Sequence, residues 1–216
     1  MIGSAFVAGT LILGAHQQDR MAAEASSRIL EAAIEQRLQR VERLAFDYSY
    51  WDQAVEKLVE TYDPIWANEN IGPYLREAHG IDTSYVLDPD GRVTYAFAPG
   101  ITGTPDPFAR FAGGLDLLIQ RARATPPDAQ PVPAAGLLRD GHTVHLAAAS
   151  ALTTYRNGGG IRIDRSTGWV LLVTLELSPR VVARMGAQLG FDALSVVPSA
   201  AQAGNMDILR YLHEHG

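Results

Sequence analysis

The 216-residue chain contains no cysteine. That excludes a disulfide framework, a thiolate zinc site and a cysteine nucleophile together. It also has no cluster of Lys and Arg, and its formal charge is −6. A phosphate backbone needs concentrated basic surface, so nucleic acid is not an expected partner. No run is long enough to cross a bilayer by itself. The uncharged apolar stretch from Ile2 to Ala15 falls short of the roughly 20 residues a spanning helix needs, and it lacks the positive start of a secretory signal. Two readings of it stay open: the later part of a membrane helix, or a buried N-terminal helix or weak signal sequence. No internal repeat is visible.

What is present begins with helix. From Asp19 to Asp63-Pro64 there is neither proline nor glycine, and Ala, Glu, Gln, Arg and Leu dominate, all strong helix formers. The pattern predicts one continuous helix, which with the apolar start would measure about 60 residues and about 90 Å. Ile34, Leu38, Val41, Ala45, Tyr48, Asp52, Val55 and Val59 recur at alternating spacings of four and three, the seam of a helix that packs along a partner. A homodimer through the N-terminal helices is therefore expected. Asp52 is the one charged member of the seam.

Beyond the helix the period changes. Residues 83–97, TSYVLDPDGRVTYAF, hold two strand-like runs around an Asp-Gly turn, and Asp88 and Asp90 are expected to serve that turn. FARFAGGLDLLIQRARA reads as a helix weakened by Gly113 and Gly114, and TPPDAQPVP as an exposed connection. AGLLRDGHTVHLAAASAL carries a second turn at Asp140-Gly141. RNGGGIRIDRSTG reads as a loop into GWVLLVTLEL, a continuously apolar strand expected to be central with both faces covered. SPRVVARMGAQLGF has a Ser-Pro helix start. DALSVVP is a candidate last strand, and NMDILRYLHEHG a candidate short helix. The fold class is α+β: a long N-terminal helix, then a PAS-like or Cache-like antiparallel sheet of about five strands with flanking helices.

The segment DYSYWD at residues 47–52 resembles the signature of CHASE domains of the fourth type, in which Asp47, Trp51 and Asp52 stand as Asp-x-x-x-Trp-Asp. Trp66 and Asn70 in WANENI fit the aromatic and the asparagine that follow it. GIDTSYVLDPDGRVTYAF is similar to that family's first hairpin, and the segments around HTVHLAAAS and GWVLLVTLEL to its later strands. The resemblance covers roughly residues 30 to 198. It implies a periplasmic or extracellular input domain in the bacterial inner membrane, coupled to a cytoplasmic diguanylate cyclase, phosphodiesterase or histidine kinase. The corresponding division is a partial membrane helix (1–17), a stalk (18–45), the sensory domain (46–200) and a tail (201–216).

Asp52 on an apolar seam must be hydrogen-bonded, paired or protonated. It either braces the polypeptide folding back over the helix, through backbone N–H groups near Trp66 to Asn70, or binds the amine of a small-molecule ligand. Asp47 and Trp51, four apart, are expected to share a helical face, with Trp51 as a core anchor or a pocket wall. Tyr85 and Tyr95 either line a pocket on the sheet or fill its core. The expected ligand site is thus Asp47, Trp51, Asp52, Trp66, Asn70, Tyr85 and Tyr95, with no cofactor.

An enzyme finds little support. Asp47 and Asp52 diverge by about 140° around a helix and do not converge on one substrate atom. His142 and His145, three apart on a strand, point to opposite faces and make a poor metal pair. RNGGG lacks the Lys-Ser/Thr of a phosphate loop, and no nucleophile has a base and an orienting partner.

Overall fold

A computed structural model of the protein describes the backbone of residues 3–101, 105–158 and 161–191, and the side chains of residues 26–101, 105–155 and 165–191. The candidate last strand and C-terminal helix lie outside the described residues. The chain divides into two compact units, one holding the N-terminal residues up to Glu35 and the other beginning at Gln36. In the first, Ser27 donates to Glu31 one turn later at 3.1 Å. No helix among the described residues is long and apolar enough to cross a membrane.

The expected helix forms as α1, Gly3–Ser49, but does not continue to residue 63. Trp51 is extended, with φ −149° and ψ 116°. The chain re-enters helix as α2, Asp52–Val55, followed by a π-helical turn, Glu56–Glu60. Two short helices that no sequence pattern marked come next: α3, Pro64–Asn70, and α4, Gly72–His79. The Asp63 carboxylate caps α3, accepting from the N–H groups of Ile65 at 3.1 Å and Trp66 at 3.0 Å, with Pro64 in the first turn where its missing N–H costs nothing.

The sheet has five antiparallel strands, β1 Thr83–Leu87, β2 Val93–Phe97, β3 Ala134–Asp140, β4 Thr143–Gly158 and β5 Ile161–Glu176, in spatial order β2-β1-β5-β4-β3. This is the α+β, PAS-like plan the sequence predicts. The apolar strand is central: Val170, Leu171, Leu172 and Val173 are all fully buried between β1 and β4. Both Asp-Gly turns form, with Gly91 and Gly141 at positive φ, and Asp88 accepts from the Arg92 N–H at 2.8 Å to close the first. The segment RNGGGIRIDRSTG is not the expected loop at residues 156–158 and 161–168. β4 and β5 extend into it as paired strands, as far as Gly158 and Ile161. FARFAGGLDLLIQRARA is not one helix either. It divides into α5, Pro107–Arg110, and α6, Leu115–Arg123, because Gly113 and Gly114 both take φ near 100° (101° and 97°), which ends a helix. α7, Pro179–Leu189, starts at Ser178-Pro179 as expected.

The register sorts the sheet into two faces. Tyr95, Val86, Leu171 and Ser150 are successive cross-strand partners and point one way. Ala96, Tyr85, Leu172, Ala149 and Ala134 form the next row and point the other way. Against the second face lie Phe111, Leu115, Leu118, Ile119 and Ala122, which with Leu87, Leu138 and Ala147 form one core. Against the first lie the end of α1, α2 and α4, burying Val41, Leu44, Ala45, Ala54, Val55, Ile71 and Leu75. Val41 and Ala45, expected in a seam for a partner helix, are thus consumed by the domain's own core.

α4 meets β2 at Gly72. A Cβ there would lie 2.1 Å from the Tyr95 hydroxyl and 2.5 Å from Phe97 Cβ, so glycine is required for space. Its N–H donates to Tyr95 Oη at 3.1 Å, and that hydroxyl reaches Ala67 O at 3.3 Å and Asn68 Oδ1 at 3.2 Å. Burial pushes the Tyr95 phenol up to about 12 even though the Gly72 N–H favours its anion. Gly72→Ala is expected to destabilise the domain by about 1–3 kcal/mol through overpacking. Tyr95→Phe, which leaves the Gly72 N–H unpaired, is expected to cost about 1–3 kcal/mol. Urea unfolding midpoints at constant m-value check both.

Candidate functional site

The signature segment is a joint. α1 stops where Ser49 leaves the helix, its hydroxyl 3.1 Å from Phe46 O and 2.6 Å from Ser150 Oγ on β4. Both serines are fully buried, so a short hydroxyl pair is the connection that satisfies them. The extended Trp51 then turns the chain outward. Asp52 does not sit on a buried seam. It is exposed, and its Oδ1 accepts the backbone N–H of Tyr155 at 2.7 Å. It therefore braces the sheet, as one of the two readings expected, but at β4 and not near Trp66 to Asn70, whose leading N–H groups belong to Asp63. The Tyr50 and Tyr155 rings meet at 5.3 Å beside this bond.

Trp51 and Asp47 do not share a helical face, because the helix ends between them. Trp51 packs instead on Trp66 at 5.0 Å and edge-on to Tyr48 at 6.4 Å. Tyr48 in turn contacts Tyr74 at 6.2 Å and His79 at 6.0 Å, with its hydroxyl 3.3 Å from His79 Nε2. Burial first, then the neighbouring Tyr74 hydroxyl and the Asp47 carboxylate, push the Tyr48 phenol up to about 12. Asp47 itself is exposed on the last turns of α1. Asn70 turns back along α3, its Nδ2 donating to Trp66 O at 2.9 Å.

The seven expected residues therefore occupy four places. Trp51, Trp66 and Asn70, with Asp47 beside them, belong to the aromatic corner of α1, α3 and α4. Asp52 belongs to the tie to β4. Tyr85 and Tyr95, 0% and 6% exposed, lie on opposite faces of the sheet and cannot line one pocket.

Tyr85 leads to a polar group that no sequence pattern assembled. Arg110, the last residue of α5, donates from Nε to Asp140 Oδ2 at 2.7 Å and from Nη1 to Tyr85 Oη at 3.2 Å, and its guanidinium lies 4.7 Å over the Phe111 ring. Burial alone would lower the Arg110 pKa, but the hydrogen bonds and charges of Asp140 and Tyr85 together outweigh it and the net direction is up. The other side of this group is His145, 1% exposed, whose imidazole meets Phe111 edge-on at 5.1 Å. Its Nδ1 is buried with no hydrogen-bond partner among the described residues, at a cost of about 1–3 kcal/mol. Burial, then the Arg110 charge, hold the His145 pKa below its usual 6.5 against the opposing pull of Asp140 and Asp82. His142, by contrast, is in the exposed β3–β4 turn and not on the strand. The available signal was phase: His145 falls in register with Ala147 and Ala149, the inward row of β4.

Two measurements follow from this geometry. Asp52→Ala is expected to speed Tyr155 amide exchange by roughly five- to tenfold, the equivalent of one net hydrogen bond of about 1 kcal/mol. Unchanged exchange would show the tie to be idle. Because the folded His145 binds its proton more weakly than the unfolded chain, its contribution to stability is complete above pH 6.5 and is lost as pH falls below it. The loss is at most about 1.4 kcal/mol per pH unit for one proton. Unfolding free energies of wild type and His145→Gln between pH 8 and 5 should diverge in that direction.

No curated protein matches the chain in sequence. The CHASE4 domain family matches it over residues 33–196, a span that takes in the end of α1, the joint, both faces of the sheet and α7. CHASE4 domains are extracellular or periplasmic sensory input modules of signalling receptors. The chain belongs to the CHASE4 family.

Proposed function

We propose that this chain is the extracytoplasmic, ligand-sensing input domain of a membrane-anchored receptor, and that it passes its signal through the N-terminal helix to a cytoplasmic cyclase, phosphodiesterase or kinase. The observation that carries this reading is the joint. Ser49 and Asp52, on either side of the helix break, are each bonded to β4, at Ser150 and at the Tyr155 amide. A shift of β4 relative to the helices that cover it must break or move those bonds, so a small change in the sheet has a direct mechanical route to residue 49. The signal can be no larger than the difference in ligand affinity between the two arrangements. Homodimerisation through the N-terminal helix would use exposed apolar positions of that helix such as Ile29, 48% exposed.

A second reading, a ligand-free dimerisation or partner-binding module of the same kind of receptor, draws support from one observation. Tyr85 and Tyr95 are packed inward, with their hydroxyls engaged by Arg110 and by Gly72. Calorimetric screening of small metabolites against the chain, with amide exchange followed across residues 49–52 and 155, separates the two. The sensor reading expects a binder that changes protection at the joint, and a weakened coupling in Asp52→Ala. A panel that gives neither heat nor any change in exchange would favour the partner module.

A further inference from the structure

We propose that the α5–α6 side of the sheet binds a small organic monocarboxylate, gripped by Arg110 and Tyr85 beside His145; this deepens the sensor reading and rests on it. The argument begins with donors. Arg110 carries five N–H groups, and its bonds to Asp140 and Tyr85 occupy one on Nε and one on Nη1. The side chain has no further hydrogen bond among the described residues beyond these two. The Asp140 bond fixes the guanidinium by its inner nitrogen, and the Phe111 ring supports its plane at 4.7 Å. The Nη1–Nη2 edge is thereby held in one orientation with donors to spare, the fork that a carboxylate meets with two parallel bonds. The side chain is 18% exposed, so the group is half-buried and reachable.

Asp140 is bound to Arg110 through Oδ2, and Asp82 Oδ2 accepts the Glu176 N–H at 2.7 Å. The groups left over, the outer guanidinium edge and His145 Nδ1, are ones that can donate and so call for an acceptor. A doubly charged phosphate would face two carboxylates against one guanidinium, so a single negative charge is the better match. His145 is the second, independent sign of an occupant. Its imidazole flanks the same Phe111 ring, and its fully buried Nδ1 has nothing to bond; as the N–H tautomer it would donate to a carboxylate oxygen. Leu115, Leu138 and Ala147 beside the group are 3% exposed or less and packed in one core, so any carbon tail on the occupant has to be short.

Acetate, propionate and lactate, with acetamide and ethylamine as matched neutral and cationic controls, are titrated into the whole chain by calorimetry and thermal shift, and the His145 ring nitrogens are followed by NMR. At least one carboxylate is expected to bind and the controls not. Arg110→Gln and Arg110→Lys should each weaken binding at least roughly tenfold, since lysine keeps the charge but not the fork. Arg180→Gln, at an exposed arginine of α7, should leave it unchanged, and Nδ1 should shift on saturation. If Arg110→Gln unfolds, Tyr85→Phe serves in its place, with a smaller loss expected. Carboxylate binding that survives the Arg110 variants, or an Nδ1 resonance unmoved at saturation and bonded to water alone, overturns the proposal. Binding of some other metabolite, indifferent to Arg110, overturns it and leaves the sensor reading standing; no binding of any metabolite removes both.

Discussion

The hydrogen bond from the Tyr155 amide to the Asp52 carboxylate joins residues 103 positions apart and sets the shape of everything at the head of the domain. For Asp52 to reach β4, the helix that precedes it has to stop. α1 would otherwise carry residue 52 past the sheet on whatever face its period dictated. The extended Trp51 makes the correction, and the buried Ser49–Ser150 pair holds the helix end in place while it is made. The chain then has to return across the same face, which it does in the short turns of α2, α3 and α4. Trp51 is free of the helix and can lean on Trp66, so the break that serves Asp52 also supplies the aromatic contact that anchors the returning segment. One residue in extended conformation thus accounts for two of the three residues in the signature.

That return is possible because α4 approaches β2 without a side chain between them. Gly72 lies against Tyr95 and Phe97 more closely than a methyl group allows, and its N–H is taken up by the tyrosine hydroxyl. Tyr95 is for this reason an element of construction. Its oxygen satisfies a helix-start N–H and reaches the end of α3 at the same time, tying the two short helices to the edge strand.

The parts legible in the sequence are those with local causes. Asp-Gly at 90–91 and 140–141 places both hairpin turns, Ser178-Pro179 starts α7, and the unbroken apolar run at 169–173 marks the strand with two covered faces. The errors came where a local pattern was overruled from a distance. Heptad spacing through residue 59 argues for one helix, and nothing within a few residues of Trp51 announces the break; its cause is an amide at position 155. RNGGGIRIDRSTG has the composition of a loop, yet long pairing carries β4 and β5 into it. α3 and α4 hold too few residues to show a period. The aromatic corner was half visible, since Trp51 and Trp66 were both identified, whereas the Arg110, Asp140, Tyr85 and His145 group draws on four separated segments and no spacing rule collects them. In sequence Asp140 reads as a turn residue, and His145 as half of a poor metal pair with His142.

The two faces of the sheet are connected more directly than their separate coverings suggest. Leu171 and Leu172 are neighbours on β5. The first is paired with Ser150, which holds the end of α1, and the second with Ala149, in the row that carries Tyr85. Side chains alternate along a strand, so Ala149 and Ser150, adjacent on β4, face the Arg110 side and the α1 side in turn. A well-packed interior has no voids to absorb a displacement of that strand. The same strand reaches Asp52 at Tyr155. The input face and the output helix of the proposed sensor both fall on β4, with His145, Ser150 and Tyr155 spaced along eleven residues of a single strand.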